Sequence, residues 1–273
     1  MHGYPFVDSI TVSVSNRMIP LRLSGSGLPL LLLHGYPLDC RLWDRLVPLL
    51  ATDHLCIAPD LRGFGRSIEE RMSFSLADLA NDCCQLLDEL QIRQSVVVCG
   101  LSMGGYVAMQ FAERHAARVA SLILTNTRAN ADDTLGASNR RSSASLALSQ
   151  GVAKVVLPMS DKLLSLQTLS NQPKVVDLVR TMMLETRAST IAWAQLAMAD
   201  REDFRVKMRS WQMPVVCVAG SEDTIVPLGV MAEMSRGIPH SEMIVVPNSA
   251  HLTPLECPEE FAQIVRKATS ALR

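Results

Sequence analysis

The stretch Val96-Val97-Val98-Cys99-Gly100-Leu101-Ser102-Met103-Gly104-Gly105 decides how this chain is built. Val96–Cys99 is a continuous apolar run dominated by a β-branched residue, and it reads as a buried strand. The residues that follow fit the pattern G-x-S-x-G, and Gly104–His115 then continues at helical period. A strand that passes straight into a helix through Ser102 must turn sharply. Glycine on both sides of the serine removes side chains that would collide across that turn. The hydroxyl then stands clear of the sheet at a helix N-terminus, with the Met103 N–H beside it. Ser102 is therefore a candidate nucleophile, and Met103 a candidate donor to an oxyanion.

Outward from this stretch, short apolar runs alternate with helical patterns. Pro29–Leu33, Leu55–Pro59, Val119–Thr125, Val215–Ala219 and Met243–Val246 read as further buried strands, apolar along their length as in a parallel sheet covered on both faces. Ser9–Ser15 and Met18–Ser24 alternate apolar and polar residues, which predicts an antiparallel pair turning near Asn16-Arg17. Helical periodicity covers Arg41–Ala51, Ser75–Leu90, Leu228–Gly237 and Pro258–Leu272. The last opens on Pro258, Glu259 and Glu260, residues suited to a helix N-terminus. The pattern predicts an α/β fold with a mostly parallel sheet flanked by helices.

The alternation stops between Asn126 and about Met208. That stretch carries helical segments at Ser142–Gln150, Lys174–Thr186 and Ser189–Ala199, punctuated by Gly151, Pro158 and Pro173. It is too long for a loop and too regularly patterned for disorder, so a helical insertion between two core strands is expected.

Composition narrows the function classes. With 273 residues the chain can bury a large core, and 48% apolar against 19% charged residues is ordinary for a globular protein. A net charge of −1 with scattered basic residues gives no footprint for nucleic acid or an anionic membrane. Seven cysteines, an odd number without a C-x-x-C, argue against a disulfide framework and for a reducing compartment. Met1–Ser15 lacks a basic segment followed by an apolar one, and no apolar run is long enough to span a bilayer. A cytoplasmic protein is expected.

Three further segments follow strand ends. His34-Gly35-Tyr36-Pro37 comes directly after Leu30–Leu33, where the Tyr36 N–H is a candidate second oxyanion donor; a plain strand-exit turn is the alternative. Gly220-Ser221-Glu222-Asp223-Thr224-Ile225-Val226-Pro227 places two acids after Val215–Ala219, and Asp223 is preferred to Glu222 as partner of a histidine. Asn248-Ser249-Ala250-His251 places a candidate general base after Met243–Val246. The order Ser102, Asp223, His251 is a known order for a nucleophile, acid and base on a sheet of this kind. The other histidines are poorer candidates: His2 is terminal, His34 belongs to the strand-exit turn, His54 precedes a strand, His115 closes a helix and His240 lies in a connector. The glycine-punctuated segment Pro59-Asp60-Leu61-Arg62-Gly63-Phe64-Gly65-Arg66-Ser67 lacks the spacing of a phosphate loop. A structural loop with Asp60 paired to Arg62 or Arg66 is expected. Cys83-Cys84 makes a poor metal pair, since adjacent helical residues point about 100° apart.

Taken together, His34-Gly35-Tyr36-Pro37, the Asp60–Ser67 loop, Ser102 in its turn, the Asp223 loop and the His251 loop resemble the α/β-hydrolase superfamily. The resemblance covers nearly the whole chain. It is nearest to small bacterial carboxylesterases, 3-oxoadipate enol-lactonases and cofactor-free haloperoxidase or perhydrolase relatives. It implies an eight-stranded sheet, with a core of residues 1–125 and 209–273 and a helical cap over 126–208. It implies a serine hydrolase of a carboxylic ester or lactone of a small, largely apolar molecule, working through an acyl-enzyme without metal or cofactor. A serine nucleophile sets the chain apart from haloalkane dehalogenases and epoxide hydrolases, which use a carboxylate. Trp193 and Met198 on the last cap helix, with Val226 and Leu252 beside the acid and base, are candidate pocket residues, core packing being the alternative. Two other functions compete: transfer of the acyl group to hydrogen peroxide, and a low-turnover receptor for a small lactone. The oligomeric state is not encoded in any of these motifs.

Overall fold

Each apolar run forms a strand in the computed structural model, which describes residues 8–67 and 73–272. The reading of Met1–Ser15 falls in part on residues 1–7, outside the described residues. The strands are β1 (Asp8–Val14), β2 (Arg17–Ser24), β3 (Leu28–Leu33), β4 (His54–Pro59), β5 (Val96–Leu101), β6 (Val119–Thr125), β7 (Val215–Gly220) and β8 (Glu242–Val246). They make one eight-stranded sheet in the order β1-β2-β4-β3-β5-β6-β7-β8. β2 runs antiparallel to β1 and to β4, and all other pairs are parallel. β5 and β7 are buried at every position, as strands covered on both faces must be.

Helices α1 (Val47–Leu50), α2 (Leu76–Glu89), α3 (Met103–Arg114), α9 (Leu228–Gly237), α10 (Thr253–Glu256) and α11 (Pro258–Thr269) accompany the sheet. The segment between β6 and β7 holds α4 (Thr134–Gln150), α5 (Val152–Ser160), α6 (Leu166–Asn171), α7 (Pro173–Glu185) and α8 (Ala188–Ala199). Local chemistry sets these ends. Ser75 and Asp78 form a reciprocal capping box on α2. α11 carries Glu259 and Glu260 in its first turn and Arg266 and Lys267 in its last, matching the helix dipole. Among the described residues no helix is long and apolar enough to cross a membrane.

Several expectations need correction. Arg41–Ala51 is not one helix but a 3-10 turn, Cys40–Trp43, followed by α1. Asp39 opens the turn by accepting from the Arg41 N–H, and Pro48, which has no N–H to donate back, fits only a new first turn. α4 starts at Thr134 rather than Ser142, capped by Asp133, because its exposed first half has no apolar stripe to announce it. Pro158 lies inside α5 instead of ending a segment. Of the two partners considered for Asp60, Arg66 pairs with it at 3.3 Å, whereas Arg62 pairs with Asp82 at 2.8 Å.

The strand order also locates a crevice. β3 and β5 are neighbours, in register from Leu30–Val97 to Leu33–Gly100. Beyond their C-terminal ends the chain leaves β3 toward β4 on one side and β5 toward β6 on the other. Such a switch point opens a gap above the sheet where α/β proteins bind ligands. Tyr36 follows one strand and Ser102 the other.

Candidate active site

Ser102 sits between β5 and α3 with φ +55° and ψ −114°, a conformation costly for any residue with a side chain. The surroundings hold it there. Its N–H donates to Thr125 O at 2.9 Å, and Thr127 Oγ1 donates to its carbonyl at 2.8 Å. The tight packing needs the flanking glycines. A Cβ on Gly100 would stand 2.3 Å from Gly104 O, and one on Gly104 2.1 Å from Leu33 O.

The loop after β3 comes close to this turn: a Cβ at Gly35 would lie 3.2 Å from Ser102 Cβ. His34 fixes the loop from beneath. It is fully buried, with Nδ1 donating to Gly35 O and Nε2 accepting from Leu61 N–H, both at 3.0 Å. This arrangement suits a neutral ring, and desolvation lowers its pKa below the usual histidine value. Phe64 packs edge-on against it, with centroids 5.3 Å apart. Among the described residues neither the Tyr36 N–H nor the Met103 N–H meets an acceptor. Met103 is the first residue of α3, so its N–H has no carbonyl one turn back within the helix.

Asp223 and His251 meet across the ends of β7 and β8. Asp223 Oδ2 and His251 Nδ1 are 2.8 Å apart, and both residues are buried. Asp223 Oδ1 accepts from the N–H groups of Ile225 (2.8 Å) and Val226 (3.0 Å), which aims the carboxylate. Glu222 is directed elsewhere and accepts from Leu166 N–H at the start of α6. His251 Nδ1 is thus the protonated nitrogen, leaving Nε2 free to accept. Among the described residues the Ser102 hydroxyl makes no hydrogen bond, so Ser102 and His251 share the C-terminal end of the sheet without a direct bond between them.

Two residues that the sequence did not single out organise this end of the sheet. Asn126, fully buried at the end of β6 with φ +44°, accepts from Gly220 N–H at 2.9 Å. Its Nδ2 donates to the carbonyls of Ala250 (3.0 Å) and His251 (2.7 Å) and to Thr253 Oγ1 (2.9 Å). One side chain therefore joins the Asp223 loop to the His251 loop, beside the strand that anchors Ser102. Glu256 holds the histidine loop from the other side. It accepts from Ala250 N–H (2.9 Å), Ser165 N–H (2.7 Å) and Thr168 Oγ1 (2.9 Å), and the His251 N–H donates to Leu163 O. A lone acid in the apolar run Leu252-Thr253-Pro254-Leu255-Glu256-Cys257-Pro258 is the one sequence signal that pointed to a buried carboxylate.

Of the four suggested pocket residues, Val226 (2% exposed) and Leu252 (0%) are enclosed beside Asp223 and His251. Met198 is buried on α8, and the half-buried Trp193 stands edge-on to Phe74 with centroids 6.4 Å apart. Among the described residues, Asp39, Cys40 and Asp60 place ligand-type atoms within 4.8 Å of one another. Arg41 already holds Asp39, Arg66 holds Asp60, and burial beside these acids pushes the Cys40 thiol pKa up. A protonated thiol between two arginine-paired carboxylates is a poor metal ligand set.

Residues 29–258 match the family model described as alpha/beta hydrolase fold. A pimeloyl-[acyl-carrier protein] methyl ester esterase of Yersinia enterocolitica is 29% identical over 243 residues, covering 86% of this chain and 91% of the relative. 3-Oxoadipate enol-lactonase 2 of Acinetobacter baylyi is 25% identical over 224 residues, 82% of each chain. A thermophilic esterase from Thermogutta terrifontis, solved with malate bound, superposes with a TM-score of 0.92 at 33% identity, covering 97% of this chain and 98% of that one. With the sheet order, the tight turn at Ser102 and a family match over most of its length, the chain belongs to the alpha/beta hydrolase fold family.

Proposed function

We propose that this protein is a carboxylic ester hydrolase that cleaves esters or lactones through an acyl-enzyme on Ser102. The observation that carries this reading is the buried 2.8 Å pair of Asp223 and His251 at the sheet end where the half-buried Ser102 sits on its strained turn. His251 Nε2 takes the Ser102 proton as the hydroxyl attacks the carbonyl carbon. The Tyr36 and Met103 N–H groups receive the oxyanion, and Asp223 stabilises the imidazolium. His251 then protonates the leaving alkoxide. A water deprotonated by His251 attacks the acyl-serine, releasing the acid and restoring Ser102. None of these steps calls for a metal or cofactor.

In this reading residues 126–208 are a cap over the core of residues 1–125 and 209–273. Trp193, Met198, Val226 and Leu252 supply apolar contacts to a small substrate. Seven unpaired cysteines suit a reducing compartment such as the cytoplasm. The test is a panel of p-nitrophenyl esters and simple lactones run with the wild type and Ser102→Ala. Turnover by the wild type and none above background by the variant is the expected result. Equal turnover by the variant removes Ser102 from the mechanism.

A further inference from the structure

The hydrolytic steps leave one polar cluster beside the oxyanion loop unused. Tyr36 is only 6% exposed, and its hydroxyl has no hydrogen-bond partner. A buried hydroxyl left unpaired is unfavourable and calls for a partner to arrive. The groups around it are Gln195 of α8 and Arg140 of α4, both of which act to lower the Tyr36 pKa. Burial outweighs them and pushes it up to about 12, so the hydroxyl remains a neutral donor at physiological pH.

The neighbours are donors too. Arg140 Nη1 donates to Gln195 Oε1 at 3.2 Å and contacts Met198 Sδ at 3.5 Å, while its Nε is paired with Asp132. Gln195 spends its oxygen on this contact. The Gln195 amide lies against the Tyr36 hydroxyl, and among the described residues the Arg140 Nη2 donates to no acceptor. Asp132 is also shared: Arg201 Nη2 lies 2.7 Å from it. Arg201 cannot turn away. Its side chain is 2% exposed, stacked on the Tyr106 ring at 4.8 Å and bonded to the carbonyls of Asn130 and Met198. Two guanidinium groups thus share one carboxylate, an excess of positive charge beside the Tyr36 hydroxyl and the Gln195 amide. That is the complement of an anion with several acceptor lone pairs.

We propose that Tyr36, Gln195 and Arg140 bind a carboxylate carried by the substrate away from its scissile bond, which makes half-esters or carboxylate-bearing lactones the preferred substrate class. This inference rests on the hydrolase reading above. Met198, in contact with Arg140, and Trp193 on the same helix would cover the apolar chain between the carboxylate and the ester, so the substrate is apolar in its middle and anionic at one end.

The test compares monomethyl with dimethyl esters of the straight-chain dicarboxylic acids from succinate to suberate. The readout is the ratio of kcat/KM for the two. The wild type is expected to favour the best monoester over its diester by about tenfold or more, the range of a charge-assisted hydrogen bond. Arg140→Gln is expected to collapse that ratio through KM. Tyr36→Phe keeps the ring and the backbone N–H and is expected to reduce the ratio as well, which guards against a folding defect in the first variant. Arg141→Gln, an exposed neighbour paired with Asp200, is the control and should leave the ratio intact. A wild-type ratio near one, or a ratio unmoved in Arg140→Gln, overturns the inference while ester hydrolysis stands. Failure to cleave either ester, with no labelling of Ser102 by a fluorophosphonate, overturns the hydrolase reading itself.

Discussion

The amide nitrogen of Asn126 holds the backbone carbonyl of His251 at 2.7 Å, while the oxygen of the same amide holds the Gly220 N–H at 2.9 Å. The loops bearing the proposed base and acid are therefore fixed to one side chain. Asn126→Ala should leave the Gly220 N–H and the His251 carbonyl without their Asn126 partner in a buried site, while the Ala250 carbonyl keeps the Thr253 hydroxyl. The expected cost is about 2–4 kcal/mol in urea unfolding, with kcat lowered about tenfold. A variant within about 0.5 kcal/mol of the wild type, with unchanged kcat, would show that the loops hold themselves.

Asp223 and Glu222 are adjacent in sequence but oppositely employed. Asp223→Asn keeps the shape and removes the charge that orients the His251 imidazole. A fall in kcat of about 10³–10⁴-fold is expected, by analogy with serine proteases, where the same change selects the wrong tautomer. Glu222→Gln should stay within about twofold. The reverse ranking, measured on one p-nitrophenyl ester, would reassign the acid.

The glycines beside Ser102 differ from glycines elsewhere in what they exclude. Gly104→Ala pushes a methyl group into Leu33 O, 2.1 Å away, and separates β3 from the turn at Ser102. A loss of about 3 kcal/mol or more, or failure to fold, is expected. Gly229 on α9 has open space around its missing Cβ, so Gly229→Ala should stabilise by about half a kcal/mol. Comparing the thermal midpoints of the two variants tests the packing directly.

Much of this fold is legible because its signals are local. β3, β5, β6 and β7 are continuous apolar runs, and Ser102, Asp223 and His251 each follow such a run at once. Asn126 is different. Its importance comes from partners 94 to 127 residues away, and nothing in Thr125-Asn126-Thr127 distinguishes it from a strand-exit turn. The Arg140 cluster was hidden for the same reason. α4 has little apolar periodicity, so its start carries no sequence signal, and the Arg140–Gln195 contact joins residues 55 positions apart on two helices. Pro158 misled in the opposite sense. It reads as a breaker, yet α5 ends only two residues later, so the lost N–H bond is near the helix end.

His34 makes folding stability pH-dependent. Its folded-state pKa lies below the usual 6.5 because burial disfavours the charged ring. At pH values under 6.5 the unfolded chain takes up a proton that the folded protein refuses. Stability is therefore complete above that value and falls as the pH drops through it, by at most about 1.4 kcal/mol per pH unit for this group. His115, partly exposed, shifts in the same direction, so the site-specific readout is the His34 ring resonance rather than total stability. That resonance should titrate with a midpoint below 6.5. Titration at or above 6.5 would mean that the ring is not held neutral between Gly35 and Leu61.

The most direct test of the account is the mass of the protein quenched in acid during turnover of p-nitrophenyl butyrate. A butyryl adduct that proteolytic mapping places on Ser102 is expected, present in the wild type, absent from Ser102→Ala, and accumulating in Asp223→Asn only as fast as that variant acylates. An adduct on another residue, or hydrolysis by Ser102→Ala at the wild-type rate, would contradict it.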